Sequence, residues 1–160
     1  MPRHVRPQPG DYFAVALSSK DAPEPALPPA FGQVLSLEAA ALNSVACAFW
    51  PEYNDDVAGI LATRPISIEI VTPDLLKRKI WPILGNAPVV VPLTLRGYEQ
   101  YRDKEWVGAE IVGSGNIREL LMAWRGLVPW DDFHDPNYLD GLLLPGMKPP
   151  PTARYKRTGA

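Results

Sequence analysis

The chain has 160 residues, 46% of them hydrophobic, with one cysteine and a formal charge of −2. That fits one folded domain with its own core, and it excludes wholesale disorder and an intrachain disulfide. No apolar run reaches the ~18 residues of a membrane-spanning helix, and Met1-Pro2-Arg3-His4-Val5-Arg6-Pro7 leads into no apolar signal region, so a cytoplasmic protein is expected.

Charge is unevenly distributed. Arg3 and Arg6 stand without an acid in the first ten residues, and Lys148, Arg154, Lys156 and Arg157 stand without one after 147, leaving 10 basic against 18 acidic residues in 11–147, about −8. Such a body repels nucleic acid and suits a basic partner, or it simply maintains solubility. The nineteen prolines lack a donor and fix φ, so they predict short elements joined by loops.

A first strand is expected at 11–17, where Phe13, Val15 and Leu17 alternate with Tyr12, Ala14 and Ala16. Residues 18–30 read as an exposed Pro-rich hairpin excursion. Strands follow at 31–37 and 43–50, the start of an antiparallel meander. Residues 51–65 read as a polar connector. A strand at 66–71 carries Ile66, Ile68, Ile70 and Val71. Thr72 is expected to cap a helical turn at 74–79, with Pro73 at its first position. Gly85-Asn86 reads as a turn, and 89–95 and 106–112 as strands. Ile117, Leu120, Leu121 and Trp124 follow the i, i+3, i+4, i+7 pattern of an amphipathic helix at 117–124, capped by Ser114 or Asn116 and closed by Arg125-Gly126. A short helix is expected near 137–144.

The fold class that results is α+β: a mostly antiparallel, curved sheet, with a partly open barrel as its more strongly curved form, and one clear helix at 117–124. Residues 1–9 are expected to be flexible, 10–147 to form the domain, and 148–160 to be a mobile basic Pro-rich tail.

Little in the chain names a chemistry. Cys47 sits in the apolar run Val45-Ala46-Cys47-Ala48-Phe49, which reads as a buried inert thiol. Asp131, Asp132, His134 and Asp135 cluster with Trp130. They read as an acidic loop with Asx-turns or, alternatively, as the site of a small metal-dependent hydrolase completed by Glu52, Asp55 or Asp56. Gly113-Ser114-Gly115-Asn116 fits an ordinary strand-to-helix turn, without a phosphate-loop or nucleophile-elbow motif. Lys77-Arg78-Lys79 reads as a solvated face. No metal or cofactor is expected.

Three short segments do carry a resemblance: Gly10-Asp11-Tyr12-Phe13-Ala14-Val15, Phe31-Gly32-Gln33-Val34-Leu35 and Trp81-Pro82-Ile83-Leu84-Gly85-Asn86. In this order and spacing they resemble the immunity protein 26 family of bacterial polymorphic-toxin systems. The likeness covers roughly 10–95, and the Pro-rich 21–29 insertion and the basic C-terminus depart from it. It implies a non-enzymatic cytoplasmic protein that binds a cognate toxin domain and blocks it, and it supplies no catalytic residues. A nuclease toxin would be basic, so the contact surface is expected at Glu52, Asp55, Asp56, Asp131, Asp132 and Asp135, with Trp50 and Trp130 as anchors. Direct nucleic-acid or membrane binding is not expected. A non-enzymatic adaptor is the remaining alternative.

Overall fold

The structure, a computed structural model, describes residues 6–17 and 28–156. Most of the 18–30 excursion, residues 1–5 and residues 157–160 lie outside that range.

Six strands form one open sheet in the order β5-β1-β2-β3-β4-β6. β1 (Asp11–Val15), β2 (Ala30–Glu38), β3 (Ser44–Trp50) and β4 (Ser67–Val71) are the expected meander, each antiparallel to the next. β5 (Ile83–Asn86) runs antiparallel to β1 on one edge, and β6 (Ile111–Val112) runs parallel to β4 on the other. The fold is therefore α+β, and the sheet does not close into a barrel.

Both sheet faces are covered, which explains why β3 is buried at every position and reads as a continuous apolar run. On the first face, Phe13, Val15, Val34, Val45, Cys47, Phe49 and Val71 pack with Ile117, Leu120 and Leu121. Those three belong to α3 (Ser114–Trp124), the amphipathic helix, which begins one turn earlier than its apolar pattern suggests. On the second face, Phe31, Leu35, Ala46, Ala48, Trp50, Ile68 and Ile70 pack with Ile60, Leu61, Val91 and Tyr98. Here the cover is a five-residue helix, α1 (Val57–Leu61), and an irregular strap over 87–109.

One part-buried ion pair fastens the strap to the sheet. Glu38, only 3% exposed, accepts from both ends of the Arg102 guanidinium at 3.0 and 2.7 Å. Arg102 also pairs with Glu99 at 2.7 Å and lies 4.9 Å from the Trp106 ring centre. Two-point binding of this kind fixes geometry as well as charge.

The three segments that carry the family resemblance form adjacent strands, β5, β1 and β2. Trp81 stacks on Phe13 with ring centres 5.4 Å apart. Gly32 lies directly under the Phe13 ring, where a Cβ would collide with it. Buried Gln33 donates from Nε2 to the carbonyls of Gly10 (3.2 Å) and Ala87 (3.0 Å), tying the three segments together.

Several expectations are corrected. Residues 51–65 contain α1, because Asp56 caps it by accepting from the Gly59 N–H at 3.0 Å. Thr72 caps nothing. Pro73 takes the N-cap position of α2 (Asp74–Lys77), while the Thr72 hydroxyl accepts from the Ser114 N–H at 3.1 Å. Ser114 and Asn116 likewise lie inside α3, whose N-cap is Gly113. Gly85-Asn86 lies in β5, held by Asn86 Nδ2 donating to Asp11 at 3.0 Å. Residues 89–95 are no strand. Pro88 and Pro92 remove donors, and 93–95 closes as a 3-10 turn. Only Ile111–Val112 of the expected 106–112 strand pairs, because Glu105, Trp106 and Gly108 have φ of 52°, 66° and 90° and turn the chain. The helix near 137–144 is a short 3-10 turn, Leu139–Leu142.

The tail expected to be mobile lies against the domain as far as Lys156. The Arg154 carbonyl accepts from the Trp130 N–H at 2.7 Å, and Asp131 accepts from the Lys156 N–H at 2.6 Å.

Candidate functional site

The two acidic loops, far apart in sequence, flank one end of α3. β3 ends at Trp50 and α3 at Trp124, and Arg125 joins the two exits. Its Nη1 donates to the carbonyls of Pro28 (3.0 Å) and Pro51 (3.3 Å), and its Nε lies 3.9 Å from Glu52. Trp50, Glu52, Asp56 and Trp124 line one depression of about 390 Å³. On the other side the Trp124 and Trp130 rings are 6.3 Å apart, and the chain continues directly into 131–135.

Glu52, Asp55, Asp56, Asp132 and Asp135 are exposed and Asp131 is half-buried. Most also have local structural work. Asp56 caps α1, Asp135 accepts from the Asn137 N–H at 2.9 Å in an Asx-turn, and Asp132 pairs with Lys156 at 3.1 Å. The tryptophans are different. Trp50 is 2% exposed and donates to the Thr63 carbonyl, and Trp130 is 1% exposed and donates to Asp140. Both are core side chains with satisfied N–H groups, so neither offers an indole to a partner. Each borders an acidic loop, but a loop beside a tryptophan says nothing about which way the ring turns.

His134 is exposed in a shallow cavity with Asp131, Asp132, Phe133 and Lys156. Among the described residues no three His, Cys, Asp or Glu side chains gather in a metal-ligating arrangement, and Glu52, Asp55 and Asp56 do not join this loop in one. Cys47 is fully buried, and burial pushes its thiol well above the ordinary range.

A second region emerges only in three dimensions. β6 is two residues long, so it leaves the first half of β4 uncovered at the sheet edge. A cleft of about 530 Å³ opens there between Tyr98 and Tyr101 of the strap, Glu110 just beyond it, and the segment 141–145. Glu69 of β4 lies in it, and burial, reinforced by the charge of Glu110, pushes its carboxyl up to about 8. Arg64, Thr94 and Leu95 connect this cleft to an apolar groove of about 700 Å³ between α1 and the strap.

No family model, curated protein or solved structure matches the chain. Among the described residues no helix is long and apolar enough to cross a membrane. The sequence did hold one signal for the cleft. Glu69 is the only charge within Ile66-Ser67-Ile68-Glu69-Ile70-Val71, and a lone carboxylate in a β-branched run is costly to bury.

Proposed function

We propose that this chain is an immunity protein that neutralises a cognate toxin domain in the cytoplasm by stoichiometric binding, without chemistry of its own. The observation that carries the reading is the convergence of two acidic loops, 52–56 and 131–135, on one end of α3. A surface with five exposed carboxylates on a net-negative body attracts a basic partner at long range and raises its rate of encounter. A nuclease domain, basic because it must hold nucleic acid, is the toxin class this surface suits. The resemblance carried by β1, β2 and β5 points to the same role.

On this reading the contact residues are Glu52, Asp55, Asp132 and Asp135, with Asp56 and Asp131 contributing charge while they hold α1 and the tail. The buried Trp50 and Trp130 support the loops from beneath. The test is a variant carrying Glu52→Lys, Asp55→Lys, Asp132→Lys and Asp135→Lys. All four side chains are exposed, but Asp135→Lys breaks an Asx-turn and Asp132→Lys an ion pair, so the variant's fold is checked by circular dichroism before binding is read. Binding to the toxin domain should fall by at least ~100-fold, chiefly in association rate, and should lose its salt dependence. Unchanged affinity and unchanged salt dependence would remove this surface from the interface.

A further inference from the structure

The segment 152–156 is firmly fixed to the domain at one end and loosely seated at the other. Arg154 pairs with Pro129 in a parallel bridge, its carbonyl accepts from the Trp130 N–H at 2.7 Å, and its Nη1 donates to the Gly126 carbonyl at 3.4 Å. Ala153 packs on the first core. Gly126, at φ 77°, has the Thr152 carbonyl 3.3 Å from where a Cβ would stand. Two residues beyond Arg154 the contacts change in kind. Lys156 donates from its backbone N–H to Asp131 at 2.6 Å and from Nζ to Asp132 at 3.1 Å. The Lys156 and Asp132 side chains are 69% and 50% exposed, so water and salt compete with the pair and it holds weakly. A lysine of this chain thus already stands on one of the two acidic loops, in a cavity of about 470 Å³ shared with Asp131, Asp132, Phe133 and His134.

We propose that Lys156 is a built-in competitor for the acidic surface. In the free protein it occupies the place on loop 131–135 that a lysine or arginine of a basic partner takes in the complex, and the partner's side chain displaces it. This rests on the reading of that loop as part of the partner interface, and it names what the partner must present there. Asp131 and Asp132 accept from a cationic head. Phe133, half-buried in the same cavity, gives the methylene stem of such a side chain an apolar surface.

Displacement needs no refolding. The anchors at 152–154 stay in place and Lys156 alone lifts away, because exposed polar contacts hold it. Every basic ligand that uses this loop binds less tightly than the bare carboxylates would allow, by the fraction of molecules in which Lys156 has lifted off.

The test titrates the isotopically labelled full-length protein with the blocked peptide acetyl-Lys-Lys-Lys-Lys-amide at low salt, following the backbone amides of 131–135 and of Lys156. The peptide should shift Asp132, and the Lys156 amide should leave its hydrogen-bonded position in step. Lys156→Ala should tighten binding at this loop about threefold, and Lys156→Pro, which also removes the N–H donor, about tenfold. Lys148→Ala is the charge-matched control. Lys148 is exposed and does not line the cavity, so its removal should leave the affinity unchanged. Equal gains from Lys148→Ala and Lys156→Ala would reduce the effect to net charge and overturn the proposal. So would a shift of Asp132 with the Lys156 amide unmoved, Lys156 variants that bind no more tightly than the unaltered protein, or no shift in 131–135 at millimolar peptide. The peptide arm needs no toxin, which keeps the two readings apart. Displacement of Lys156 by peptide, with no binding of a co-expressed toxin domain, would remove the toxin as partner and leave the competition standing. Toxin binding with Lys156 undisplaced would do the reverse.

Discussion

The two faces of the sheet solve the same burial problem differently. The first is covered by α3, a regular eleven-residue helix whose apolar stripe inserts Ile117, Leu120 and Leu121, all fully buried. The second is covered by a five-residue helix and an irregular strap that contributes few buried side chains, Val91 and Tyr98 among them. A helix satisfies its own backbone and needs only an apolar stripe to dock. An irregular strap cannot do this, and it depends on specific anchors such as the Glu38–Arg102 pair. The first face therefore carries the stability. The second, held at fewer points, leaves a groove and a cleft open between its parts.

Truncation under the helix should cost the most. Leu120→Ala removes a fully buried side chain from the first core and should destabilise the protein by about 3 kcal/mol, read as the shift in the denaturant midpoint. A loss below about 1 kcal/mol would mean that α3 is not the principal cover. Releasing the strap should cost less. Arg102→Ala leaves Glu38 buried without its cation, but Arg102 is 44% exposed, so water offsets part of the loss and about 2 kcal/mol is expected. Hydrogen exchange should then quicken across 97–106 while α3 stays protected. Uniform loss of protection over both faces would show that the two covers are not separable.

The third prediction concerns the sign of a pH effect. Glu69 has a raised folded-state pKa, so the folded state holds a proton that the unfolded state has released between about pH 4.5 and about 8. Stability from this group is thus present at low pH and lost as pH rises through that window. Glu69→Gln should stabilise the protein by about 1 to 3 kcal/mol at pH 9 and by much less at pH 5. Equal effects at both pH values would place the carboxylate in water rather than in the cleft.

The same contrast explains what the sequence disclosed. The four meander strands and α3 are legible because each buries a face, and burial imposes a period of two or of 3.6. Phe13 and Val15 alternate as β1 requires, and Leu120 and Leu121 fall where α3 requires them. β5 escaped because a four-residue strand containing Gly85 has too little pattern to separate from a turn. The strap escaped because Pro88, Pro92 and three residues at positive φ, Glu105, Trp106 and Gly108, give it no period. The acidic loops were visible as clusters of like residues. The Glu69–Glu110 cleft was not, because its two carboxylates lie on different elements that only the folded chain brings together.

The most direct test of the central claim is co-expression of this protein with the C-terminal domain of the protein encoded immediately upstream, scoring cell survival and co-purification together. The account predicts survival with a stable one-to-one complex, and loss of both with the variant reversed at Glu52, Asp55, Asp132 and Asp135. Cell death despite abundant soluble protein, with no complex recovered, would contradict it.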